Sequence, residues 1–212
     1  MDDQPRSTVD PDAVRPTPRV LLLNGALAGE EELAPVEGAL VELLREEGSQ
    51  IRSYAMRDVP LAFCQGCFEC WVSTPGLSKT DGDAGRDIAA AAIGSDLMVL
   101  VTPITFGGYS SEIKKALDRV ICLVSPFFRR VEGEVHHRPR YRSYPALAAV
   151  GVLREPDEEE ERIFRTLVAR NARNFQDPGH AVCVLPAGVP LASLRDRLAT
   201  DLEPVLARLT RR

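Results

Sequence analysis

A chain of 212 residues with 44% hydrophobic and 27% charged side chains is long enough for one sizeable α/β core. A net charge of −5 excludes the broad positive footprint of a nucleic-acid binder, although Arg129, Arg130, Arg138, Arg140 and Arg142 form a local cluster suited to an anion. No apolar run approaches the roughly 18 residues of a membrane span, and the acidic, proline-bearing start lacks a signal-peptide core, so a cytoplasmic protein with no membrane partner is expected.

In chain order, residues 1–18 hold four prolines and few large apolar side chains and are expected to form a flexible tail, leaving 19–212 as a single domain. Arg19 to Asn24 is a short apolar strand ending at Gly25, and Leu33, Val36, Leu40, Leu43 and Leu44 mark one face of the following helix, which Gly48 stops. Gln50 to Ala55 is a weaker strand. Residues 57–82 form a long irregular segment holding Cys64, Cys67 and Cys70, and a helix spans about 85–93.

Leu97 to Thr102 is a continuous apolar run of the kind buried on both faces of a parallel sheet. Pro103 to Ser110, with Gly107 and Gly108, reads as a shaped loop. Ser110 or Ser111 caps a helix whose apolar face includes Ile113, Leu117, Val120 and Ile121. Residues 123–145 read as another long connection. Ala146 to Leu153 is a fourth strand, Pro156 opens an acidic helix start, Ala181 to Leu185 is a fifth strand, and Leu191 to Leu209 carry a closing helix.

Five strands alternating with helices predict a three-layer α/β fold with a parallel five-stranded sheet in the order 2-1-3-4-5. In that order the chain reverses between the first and third strands, where ligands bind. The loops 24–32 and 103–110 are therefore expected to meet.

NGALAGEEE after the first strand, CQGCFECWVSTPG in the insertion and TPITFGGYSSEIKKALDR after the third strand, with HHRPRYRSYP later, resemble the flavodoxin-like NAD(P)H-dependent FMN reductases and their iron–sulfur flavoprotein branch. The resemblance covers about 19–150. It implies a flavodoxin-like fold and FMN as cofactor, with NAD(P)H as co-substrate. Hydride would pass to the flavin and electrons onward to a quinone, flavin or other small acceptor. It further implies ring contacts from Pro103, Ile104, Thr105, Phe106, Gly107 and Gly108, a first-loop contribution from Asn24, Gly25 and Ala26, and a homodimer or homotetramer. No catalytic side chain is required, because the cofactor carries the chemistry.

Two motifs depart from that family. Glu30, Glu31 and Glu32 stand where the phosphate loop usually offers Ser, Thr and Arg, and carboxylates at a helix N-terminus repel a phosphate. This favours the rival reading, a non-catalytic binding or assembly protein that has lost FMN. The Cys64, Cys67, Cys70 spacing lets three thiolates converge, but Ser78 stands near the place of a fourth cluster cysteine. An iron–sulfur electron carrier is a third reading of that spacing. The expectation is structural or redox-active thiols and no metal, with Cys122 and Cys183 as small buried hydrophobes. His136 and His137 face either a nucleotide phosphate or a neighbouring subunit, and Asp118 and Arg119 suit an ion pair or a dimer contact.

Overall fold

The architecture comes from a computed structural model, which describes residues 17–29, 33–176 and 178–210. Most of the expected tail, residues 1–16, lies outside the described residues, as do Glu30, Glu31 and Glu32.

The apolar runs become parallel strands. They are β1 (Arg19–Asn24), β2 (Gln50–Ala55), β3 (Leu97–Pro103), β6 (Ala146–Leu153) and β7 (His180–Pro186). Their order is β2-β1-β3-β6-β7, which is the predicted 2-1-3-4-5 counted over the strands of this sheet. Every residue of β3 and β6 is buried, as their unbroken hydrophobicity requires of central strands. Alternate residues serve opposite faces. Leu21, Leu23, Met98 and Leu100 join a core beneath α3 (Gly85–Ile93), α4 (Ser111–Arg119) and α5 (Glu158–Asn174). Val20, Leu22, Val99 and Val101 join another beneath α1 (Leu33–Glu46) and α6 (Leu191–Thr210). Each fully buried large side chain contributes roughly 1.5–3 kcal/mol of transfer free energy, so these two layers fix the register of the strands.

Residues 123–145 are not a plain connection. They form an antiparallel hairpin of β4 (Val124–Val131) and β5 (Glu134–Pro139) outside the main sheet. Glu132 and Gly133 join the strands with φ of 49° and 85°, the left-handed pair that matches strand twist in a two-residue turn. A further correction concerns the apolar face at Val120 and Ile121: α4 ends at Arg119, and Val120–Leu123 is a 3₁₀ turn. Strand β3 also runs one residue past its expected end, with Pro103 opposite Val152.

The long insertion is partly ordered by local structure. It has a 3₁₀ turn at Met56–Asp58 and the one-turn helix α2 (Glu69–Val72), which Phe68 enters in the left-handed region, φ 60°. Long-range ties hold it. The Trp71 indole donates to the Val124 carbonyl at 3.0 Å, and Arg119 on α4 engages Asp83 at 2.5 Å.

Candidate functional site

The carboxyl ends of β1 and β3 lie side by side, with Asn24 paired to Val101 in register. The Gly25 amide donates to the Val101 carbonyl at 2.7 Å and draws the first loop across the end of β3. A Cβ on Gly25 would overlap the Ile113 side chain and stand 2.5 Å from Ser110 Oγ, so only glycine lets α4 approach this closely. The Asn24 side chain braces the turn. Its Oδ1 accepts from the Ala26 amide at 2.8 Å while Nδ2 donates to Glu37 on α1 at 2.5 Å. Ser53 on β2 donates to the other Glu37 oxygen.

The second loop is held from within. Buried Thr102 accepts from the Ser110 amide through Oγ1 at 2.9 Å, and Ser110 Oγ accepts from the Ile113 amide at the start of α4. Ser110 is a buried N-cap. Ser110→Ala is expected to cost about 1 kcal/mol of unfolding free energy in denaturant titration. Between these anchors, Thr105 and Gly108 exchange both backbone hydrogen bonds, at 2.9 and 3.1 Å. Phe106 and Gly107, with φ of 50° and 71°, form the tip of this tight turn. A Cβ at Gly107 would meet Ile163 on α5, whereas Phe106 is 90% exposed.

Two recesses flank this junction. One, of about 500 Å³, is lined by Asn24, Ala26, Pro35, Glu37, Ala55 and Arg57. The other, of about 380 Å³, lies between the loops after β3 and β6 and is lined by Ile104, Thr105, Phe106, Leu153, Arg154 and Glu160. The sequence-predicted residues of the two loops therefore meet at one end of the sheet, but not all in the expected role. The Ile104 amide donates to Val152, and the Thr105 and Gly108 amides close their own turn, so these groups shape the loop. Pro103, Ile104 and Gly107 are buried and Thr105 and Phe106 face out.

The cysteine insertion builds a separate cavity of about 310 Å³ beside the end of α4, lined among others by Cys64, Cys67, Cys70, Trp71, Ser78 and Cys122. All five cysteines are free thiols. Burial pushes the Cys122 thiol up to about 11 and raises that of Cys183 further, which agrees with their expected role as small buried hydrophobes. Ser78 accepts from the Arg119 guanidinium at 2.9 Å. Among the described residues, no three His, Cys, Asp or Glu side chains are arranged to share a metal ion.

The paired histidines serve different contacts. His136 is buried between Asn174 Oδ1, at 3.3 Å, and Glu134 Oε2, at 3.0 Å, while His137 packs between Trp71 and Phe128. Arg170, His136 and Arg173 hold the Glu134 carboxyl down to about 2. Of the two residues expected to make an ion pair or dimer contact, Arg119 pairs with Asp83 and Asp118 with Lys114.

A parallel sheet in this order, with a glycine-tightened loop and a pinned turn at its switch point, defines a flavodoxin-like nucleotide-binding α/β protein. The family model for NADPH-dependent FMN reductase matches residues 18–155, and the chain belongs to that family. No curated protein matches it in sequence. Solved structures share the fold at low identity. An FMN-dependent NADH-azoreductase from Bacillus anthracis in complex with FMN superposes with a TM-score of 0.63 at 11% identity, over 91% of this chain and 99% of that one. An NAD(P)H:quinone oxidoreductase from Methanothermobacter marburgensis gives 0.57 at 15%, over 92% and 97%. An NADH:FMN oxidoreductase in its apo form gives 0.60 at 14%, over 92% and 89%.

The protein is thus an oxidoreductase with FMN as cofactor and NAD(P)H as co-substrate. At the ring end of the cofactor site that the family implies, Gly25 lets the first loop close against α4 where a Cβ would overlap Ile113, and the hydrogen-bonded turn at 105–108 offers a rigid edge. At the other recess, Arg57 is the cation lining the wall, opposite Glu37, whose oxygens already accept from Asn24 and Ser53. Sequence reasoning missed Glu37, Arg57, Thr102 and the loop after β6. Only Thr102 carried a signal, as a polar residue at the end of an otherwise apolar strand.

Proposed function

We propose that this protein holds FMN across the carboxyl ends of β1, β3 and β6 and passes electrons from NAD(P)H to a small acceptor such as a quinone or a free flavin. The observation that carries the reading is the convergence of the Asn24–Ala26 and Pro103–Gly108 segments at the switch point, in a chain of the FMN reductase family. FMN supplies the two-electron chemistry when bound, accepting hydride from the nicotinamide and giving electrons up to the acceptor.

The chain's own work is placement. Gly25 brings the first loop against α4, and Ala26 and Asn24 form the floor on the β2 side, with Arg57, ion-paired to Asp58, as the positive charge on that wall for the phosphate. Thr102 and Ser110 hold the second loop rigid, so the edge formed by Ile104, Thr105 and Gly108 needs no reordering when the ring arrives. Phe106, exposed at the tip, is the apolar side chain placed to close over a bound ring and exclude water. Family membership favours this reading over a binding protein without cofactor.

A cytoplasmic setting is supported by three accessible unpaired thiols, which persist in a reducing compartment. Assembly as a homodimer or homotetramer is supported by Phe127, Phe128 and Val135, which leave apolar surface exposed on the β4–β5 hairpin.

Titration of the purified, cofactor-stripped protein with FMN under fluorescence detection tests the reading. Binding at micromolar affinity or tighter, followed by FMN-dependent oxidation of NADH or NADPH with a quinone as acceptor, is the expected result. Absence of binding at high FMN would overturn it.

A further inference from the structure

The cavity of about 310 Å³ beside the end of α4 is not required for holding FMN, yet four of the chain's five cysteines line it. Three come from a tight loop. Gly66 and Phe68 both take left-handed φ, 63° and 60°, on either side of Cys67, and this folding sends Cys64, Cys67 and Cys70 to one wall. Cys64 and Cys67 are exposed, Cys70 is half-buried at the start of α2, and Cys122 is buried behind it. The rest of the lining joins apolar Phe68, Trp71, Leu117 and Ile121 to Lys79, Asp118 and Arg119, whose charges are paired with Glu69, Lys114 and Asp83.

The geometry points to a second redox site in this cavity, where Cys67 and Cys70 act as a dithiol that exchanges with small, largely uncharged disulfides. Cys67 is exposed on the cavity wall and open to an external disulfide, so its sulfur is the attacking one. Burial first, then the charges of Cys64 and Cys67, raise the Cys70 thiol, so Cys70 is the protonated partner at rest.

The exchange balances without a further oxidant. The Cys67 sulfur attacks one sulfur of the external disulfide. A mixed disulfide forms, and the first external thiolate leaves and takes up the proton lost by Cys67. Cys70 then gives up its proton and attacks the Cys67 sulfur. The Cys67–Cys70 disulfide forms and the second external thiol departs with that proton. One external disulfide is reduced to two thiols while two protein thiols are oxidised. A pocket of this size with aromatic walls suits a compact neutral disulfide, and Cys122, deep and strongly protonated, is a bystander.

Trp71 lines the same cavity and is the chain's single tryptophan, so its fluorescence reports the state of the dithiol. The test treats the reduced full-length protein with hydroxyethyl disulfide, follows Trp71 emission, counts free thiols after denaturation and maps the linkage by peptide mass spectrometry. The expected result is loss of two thiols, a bond joining Cys67 to Cys70, a change in emission reversed by dithiothreitol, and the same behaviour in Cys122→Ala. In Cys70→Ser the mixed disulfide on Cys67 should accumulate instead. A mixed disulfide that persists in the unaltered protein, a bond that omits Cys70, or thiols that prove to hold a metal ion in the protein as isolated would overturn the proposal.

Discussion

Gly25→Val is expected to weaken FMN binding by at least about tenfold and to destabilise the fold by roughly 1–3 kcal/mol or more, the range for forcing extra methyl groups into a close-packed contact. The space a Cβ would occupy is already filled by Ile113 Cγ1, with Ser110 Oγ at 2.5 Å and Ile113 Cδ1 at 3.1 Å. Neither neighbour can step aside. Ile113 is fully buried in the core beneath α4, and Ser110 caps that helix while its amide donates to Thr102. Relief must therefore come from moving α4 away from β1, which opens the switch point and shifts the turn at 105–108 that α4 anchors. Gly38→Ala provides the opposite control. Gly38 lies within α1 with nothing within 4 Å of its added Cβ, so alanine there should stabilise by about 0.5–1 kcal/mol and leave FMN affinity unchanged. Denaturant unfolding and FMN titration of both variants decide the matter. Equal FMN affinity in Gly25→Val and the unaltered protein would remove the first loop from the site.

The features readable from sequence share a property: they repeat at a period. The five strands, their order and the helix faces follow from runs and spacings such as Leu21–Leu23 and Leu33–Leu44, and the structure reproduces them. The segments at the switch point were also legible, because Asn24–Gly25 and Gly107–Gly108 punctuate strand ends. The missed hairpin had a weaker signal. Alternation in Val124–Val131 and Glu134–Pro139 is blurred by five arginines within 129–142, and the Glu132–Gly133 pair that makes the turn differs from the commoner Asn-Gly form. What no local pattern could give is the pairing of distant polar groups. Glu37 with Asn24 and Ser53, and Asp83 with Arg119, are set by packing of separate elements, and each residue alone looks like an ordinary polar or charged surface residue. The spacing of Cys64, Cys67 and Cys70 announced a thiol cluster, but Cys122 joins that cavity only through the fold.

Asp83→Ala should be among the most destabilising single changes in the chain, at about 3–5 kcal/mol, because it strands a buried guanidinium. Arg119 is 2% exposed and forks onto both Asp83 oxygens, at 2.5 and 2.9 Å, while donating to the Ala62 carbonyl and Ser78 Oγ. Asp83 in turn accepts from the Ala62 and Gly85 amides, and Gly85 has no room for a side chain because the guanidinium fills that space. One pair therefore closes both ends of the insertion, Ala62 and Ser78 to Gly85, onto α4. Hydrogen bonding to Arg119 lowers the Asp83 carboxyl from 3.8 to about 2, although burial opposes the shift. A carboxyl depressed in the folded state adds stability that is complete above its unfolded pKa near 4 and disappears as pH falls through about 2, a contribution of about 2 kcal/mol. Unfolding free energy should therefore drop between pH 4 and pH 2 in the unaltered protein, with this component missing from Asp83→Asn. A double variant, Asp83→Leu with Arg119→Met, separates charge from packing. If the pair mainly offsets its own desolvation, the double variant should recover most of the loss seen in Asp83→Ala, whereas an equal or larger loss would mean that the fork itself holds the insertion in place.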